Sequence, residues 1–145
     1  MTVGRICTRV VASASPQETV RAAAKRMAVN EVGTLVVLDT ANGTKPVGIL
    51  TDRDVTVRCV AAERDPDKTR IAEVMTRPAQ FVNEDVPVEE AITRMANAGT
   101  RRLVVIGEAG RLVGVLSLDD VLDLLAEETG AIGRLLAKQQ THVPA

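Results

Sequence analysis

Apolar positions recur along the chain in two rhythms, and the same succession of rhythms occurs twice. Val20, Ala23, Ala24 and Met27 fall at helical spacing, and Val88, Ala91, Ile92 and Met95 repeat them 68 positions later. Two amphipathic helices are therefore predicted. Ser15 or Thr19 caps the first of them, Ser15 being followed by Pro16 and by Glu18 in capping-box register. After each helix comes a short apolar run, Leu35-Val36-Val37-Leu38 and then Leu103-Val104-Val105-Ile106, which reads as a buried strand. The turn that follows contains Asn42-Gly43 in the first half, a hairpin signal, and is the shorter Gly107-Glu108-Ala109-Gly110 in the second. That difference of two residues lowers the offset between the halves from 68 to 66. Second strands at residues 45–50 and 111–116 then run into a second helix.

The join between that strand and helix is the most closely repeated stretch. Gly48-Ile49-Leu50-Thr51-Asp52-Arg53-Asp54 returns as Gly114-Val115-Leu116-Ser117-Leu118-Asp119-Asp120. A hydroxyl residue followed three places later by Asp is close to a capping box, which satisfies free N–H groups at a helix start. Capping does not require the glycine. A helix N-terminus with a hydroxyl is also an anion site, and a nearby carboxylate can accept both hydroxyls of a ribose. The structural and the ligand-binding readings of the motif both stand at this level.

The repeat begins near the N-terminus, where Val3-Gly4-Arg5-Ile6-Cys7-Thr8-Arg9 aligns with Ile71-Ala72-Glu73-Val74-Met75-Thr76-Arg77. This gives a first unit at residues 1–62, a charged linker at 63–70, a second unit at 71–128 and a helical extension with a tail at 129–145. In the extension, Leu135 and Leu136 follow Gly130 and Gly133 and predict a separate helical segment that covers the domain or a partner subunit. His142 lies in a frayed tail, a poor place for a ligand or a base.

Composition narrows the functional classes. With 145 residues, 46% of them apolar, the chain can bury a core. A net charge of −1 with interspersed signs leaves no general footprint for nucleic acid or an anionic membrane. Neither an export signal nor an eighteen-residue apolar run is present, which points to the cytoplasm. Cys7 and Cys59 match no metal-ligand spacing and read as small core residues. One phenylalanine and no tryptophan or tyrosine make the core aliphatic and remove stacking platforms for single-stranded nucleic acid. No nucleophile stands beside a base and no metal cluster is legible, so an enzyme is not expected.

Taken together, these residues resemble a CBS domain pair, also called a Bateman module, over nearly the whole chain. The resemblance is carried by Val74-Met75-Thr76-Arg77, by the helix with Glu89-Glu90-Ala91, by Arg102-Leu103-Val104-Val105 and by Gly114 to Asp120. The first unit repeats them, with Ile6-Cys7-Thr8-Arg9 at its opening. It implies an α/β (α+β) fold of two tandem pseudo-symmetric β-α-β-β-α units packed through their sheets. It also implies two inter-unit clefts that bind adenosyl ligands: AMP, ADP, ATP, NAD or S-adenosylmethionine.

Carried over by resemblance, Ser117 and Asp120 hold phosphate and ribose in one cleft, with Thr8, Val32 and Gly33 around the adenine. The other cleft uses Thr51 and Asp54, with Thr76, Thr100 and Arg101 opposite. Arg101-Arg102 stands where the first unit has Gly33-Thr34, and an arginine fork suits phosphate. Arg53 and Arg58 are secondary cations on the motif helix. The expected function is a stand-alone regulatory module that senses an adenosyl ligand, most simply an adenine nucleotide. The alternative is a structural or dimerisation module with empty clefts. A homodimer through residues 55–62 and 121–126 is expected and a separate regulated protein is possible. No metal, nucleic acid or membrane partner is expected.

Overall fold

The protein is described by a computed structural model covering residues 1–40 and 43–140. Asn42 of the expected hairpin turn and His142 of the tail lie outside the described residues. Two three-stranded sheets form, each the product of one repeat. In the first, β1 (Ser13–Ala14) runs parallel to β2 (Thr34–Leu38), which is antiparallel to β3 (Pro46–Thr51). Helix α2 (Val20–Asn30) joins β1 to β2, after a short opening helix α1 (Val3–Ile6). Beyond β3 the chain forms one turn, α3 (Asp52–Asp54), and continues as a π-helical stretch at Val55–Val60.

The second repeat follows the same plan with α4 (Ile71–Val74), β4 (Phe81–Asn83), α5 (Val88–Ala98), β5 (Arg102–Ile106), β6 (Leu112–Ser117) and α6 (Leu118–Gln140). Its strand order and register copy the first, Thr34 pairing with Thr51 as Arg102 pairs with Ser117. The fold is mixed α/β.

Helix α2 buries Val20, Ala23 and Met27 and α5 buries Val88, Ala91 and Met95, as the spacing predicts. Ile92, placed on the same stripe, is 39% exposed because it lies at the edge of the buried face. Thr19 is the N-cap of α2, accepting from the Ala22 N–H at 3.2 Å, whereas the Ser15 N–H donates to Glu18 at 2.8 Å one turn earlier. The Arg26 guanidinium bonded to Glu18 holds that carboxyl below its usual range. At the C-terminal end the expected break at Gly130 and Gly133 does not occur. Helix α6 runs unbroken through both, since a single helical glycine costs only about 1 kcal/mol.

The cores are crossed relative to the sequence repeats. Val3 of the N-terminal segment is buried in the second core, with Val82, Leu103 and Leu116, while Ile71, Val74 and Met75 are buried in the first, with Leu35 and Leu50. Each opening segment is stitched to the other repeat's motif strand. Thr8 and Val115 exchange backbone bonds at 2.9 and 3.0 Å, and Thr76 and Ile49 do so at 2.9 and 3.1 Å. This contact accounts for the motif glycine. A Cβ on Gly48 would stand 2.7 Å from the Thr76 carbonyl oxygen, and one on Gly114 would stand 2.3 Å from that of Thr8. Only a residue without a side chain allows the approach.

Candidate functional site: two inter-unit clefts

Thr51 ends β3 in an extended conformation and turns its hydroxyl onto the start of α3. It accepts from the Asp54 N–H at 3.1 Å, while Asp54 Oδ2 accepts from the Thr51 N–H at 3.0 Å. Ser117 and Asp120 repeat the arrangement at 3.2 and 2.8 Å. Both motif pairs are thus reciprocal caps.

They differ in what else they touch. Asp54 is only 8% exposed, and the Thr76 hydroxyl donates to its two oxygens at 3.1 and 3.2 Å, with Arg58 Nε at 3.8 Å. Asp120 is half-buried, and among the described residues its carboxylate accepts only from Ser117.

Because the opening segments are exchanged, each cap faces residues of the other repeat. A cleft of about 410 Å³ is lined by Thr51, Asp54, Thr76, Thr100 and Arg102. A smaller one, about 240 Å³, is lined by Thr8, Val32, Gly33, Ser117 and Asp120. We refer to them as the Asp54 and Asp120 clefts. The first falls within the usual range for small-molecule pockets, about 300–1,000 Å³, and the second just below it.

Arg101 lines neither cleft. It is 72% exposed, its guanidinium lies 4.0 Å from Asp119, and its carbonyl accepts from the Leu118 N–H at 2.8 Å. Arg102 lines both clefts. Adjacent residues entering a strand project to opposite sides, so one of the pair is turned away.

Sequence reasoning missed Thr34, which also lines both clefts and whose Oγ1 is buried without a partner among the described residues. Its alignment with Arg102 was the available signal. Arg53 and Arg58, ranked second from sequence, line the Asp54 cleft. Near the Asp120 cleft, burial pushes the Cys7 thiol up, against the pull of Arg9. Among the described residues no group of His, Cys, Asp or Glu is arranged to hold a metal ion.

The CBS domain model matches residues 3–60 and again 71–127, covering most of the chain in two copies. The chain belongs to the CBS domain family. It is 33% identical over 137 residues to the CBS domain-containing protein YhcV of Bacillus subtilis, covering 93% of this chain and 94% of that one. A protein of Methanopyrus kandleri is 32% identical over 124 residues, 86% of this chain but only 62% of its own length.

Among solved structures, a CBS domain protein of Pyrobaculum aerophilum complexed with AMP superposes with a TM-score of 0.75 at 31% identity, over 83% of this chain and 89% of that one. The CBS domain pair of protein MJ0100, in complex with 5'-methylthioadenosine and S-adenosyl-L-methionine, gives 0.76 at 25% identity, over 88% and 98%. A hexameric CBS-CP12 protein from bloom-forming cyanobacteria gives 0.74 at 29% identity, over 84% and 66%. In this CBS pair no described helix is long and apolar enough to cross a membrane.

Proposed function

We propose that this chain is a cytoplasmic, non-enzymatic regulatory module that senses an adenosyl ligand. An adenine nucleotide (AMP, ADP or ATP) is the leading class, and NAD or S-adenosylmethionine the others. The observation that carries this reading is the composition of the clefts. Each joins the hydroxyl and carboxylate of one repeat's motif to a threonine of the other repeat's opening segment. A cap alone requires no cavity beside it, whereas a ribose requires an acceptor at a cavity wall. The AMP and S-adenosylmethionine complexes of similar CBS proteins support the same class.

A structural module with empty clefts is the second reading. It is favoured by the caps themselves, since both hydroxyl and carboxylate pairs have partners without a ligand. One measurement separates the two. The chain has no tryptophan or tyrosine, so absorbance in the nucleotide band of purified protein reports a copurified base directly. Release of that absorbance on denaturation, with an adenosyl mass by mass spectrometry, is the expected result. A protein that shows none and binds no adenosyl compound on titration supports the structural module.

The proposed assembly is a homodimer, and the hexameric relative shows that similar chains form multimers. Val57 and Val60 after the first motif and Leu122 and Leu125 after the second are large apolar residues left exposed on their helices. Light scattering should give a dimer for the natural chain and a monomer for Leu122→Glu combined with Leu125→Glu. A monomeric mass for the natural chain at every concentration would refute the assignment.

A further inference from the structure

The two clefts carry opposite local charge and share one cation. Arg53, Arg58 and Arg102 line the Asp54 cleft against a single carboxylate. In the Asp120 cleft, Asp119 and Asp120 face Arg102 alone. Arg58 is already engaged, donating to the Val74 and Met75 carbonyls at 3.3 and 3.1 Å. The hydrogen bonds of Arg102, by contrast, involve only its backbone, so its guanidinium has no partner among the described residues. At the equivalent position of β2 stands Thr34, which lines both clefts and carries no charge.

We infer that Arg102 makes the clefts antagonistic for phosphorylated ligands, an inference that rests on the adenosyl reading above. A guanidinium grips one phosphate through two parallel bonds and cannot grip a second one in another cleft with the same fork. Phosphate in the Asp54 cleft draws Arg102 to that side. The Asp120 cleft is then left with no lining cation: Asp119 is offset from outside the cleft by Arg101 at 4.0 Å, and the remaining charge of Asp120 repels a second phosphate. An uncharged or cationic adenosyl ligand meets no such repulsion. The clefts are therefore sorted by charge, the Asp54 cleft for the phosphorylated ligand and the Asp120 cleft for the unphosphorylated one. Linkage makes the penalty reciprocal.

The test titrates AMP and adenosine calorimetrically into the natural chain and into Ala98→Trp. Ala98 lines the Asp54 cleft from an exposed position, so an indole there can fill that cleft without removing a polar contact, and loss of the tighter AMP phase verifies that it does. AMP should bind the natural chain in two phases. The weaker phase, assigned to the Asp120 cleft, should tighten at least about tenfold in Ala98→Trp, where no phosphate competes for Arg102.

Adenosine should bind the Asp120 cleft equally in both proteins, which also certifies that the variant is folded. In Arg102→Gln the AMP difference should vanish, because neither background then supplies the cation. Equal AMP affinity of the Asp120 cleft with the other cleft open or filled overturns the antagonism. A shift for adenosine as large as that for AMP overturns it too, pointing to shape rather than charge. Absence of binding by AMP and adenosine in every protein is a separate outcome, which overturns the antagonism and, if ATP, NAD and S-adenosylmethionine also fail to bind, the adenosyl reading with it.

Discussion

Replacing Asp54 and Asp120 together with alanine is expected to remove adenosyl-ligand binding from a protein that still unfolds cooperatively. Each carboxylate lines its cleft and, in the proposed reading, accepts from the ligand, and loss of such an acceptor costs about 1 to 3 kcal/mol per cleft. The caps impose a second, separable effect. Each substitution also removes the carboxylate that accepts the Thr51 or Ser117 N–H, a loss of about 1 kcal/mol of stability. Asp54→Ala should be the more damaging of the single variants, since it also strands the Thr76 hydroxyl that ties the second opening segment to the first motif. Calorimetric titration and thermal melts of both single variants and the double variant check the pair of effects. Unchanged affinity in the double variant would sink the assignment of these carboxylates to the ligand.

Gly114→Ala is expected to destabilise the protein by about 3 kcal/mol, the upper range for overpacking a tight contact. Its new methyl would stand 2.3 Å from the Thr8 carbonyl oxygen, and that atom belongs to backbone held by two hydrogen bonds to Val115. No side-chain rotation relieves the clash. The opening segment must move, drawing Val3 away from the core formed with Leu103 and Leu116. Gly48→Ala should have the same character and a smaller size, because its nearest contact, the Thr76 carbonyl oxygen, is at 2.7 Å. Urea unfolding measures both. A loss below about 0.5 kcal/mol for Gly114→Ala, the range of an ordinary surface substitution, would show that the segment is not held as described.

The two effects meet at the same place, because the exchanged segments that close the cores also form the clefts. Thr8 and Thr76 belong to the opening segments, and each lines the cleft that contains the other repeat's motif carboxylate. Displacing either segment should therefore weaken binding as well as folding, and the Asp variants are the cleaner probes of the ligand.

Much of this was determined by the sequence alone, for a local reason. Helices α2 and α5 show in the spacing of Val20, Ala23 and Met27 and of Val88, Ala91 and Met95, and the caps show in Thr51 with Asp54 and Ser117 with Asp120. Periodicity and capping act within a few residues, so they are written within a few residues. The match of one half to the other then identified a two-unit α/β fold and a repeated motif of glycine, hydroxyl and carboxylate.

The resemblance set Thr8 opposite Asp120 and Thr76 opposite Asp54, but only the tertiary structure showed that each opening segment completes the other repeat's core, because Thr8 with Val115 and Ile49 with Thr76 meet across long stretches of chain that no local rhythm encodes. The motif glycines were the visible trace of that contact, without saying what approached them. Tertiary structure also separated Arg102 from Arg101 and Asp54 from Asp120. Similar local patterns were placed against different neighbours, and charge pairing and burial depend on the neighbours.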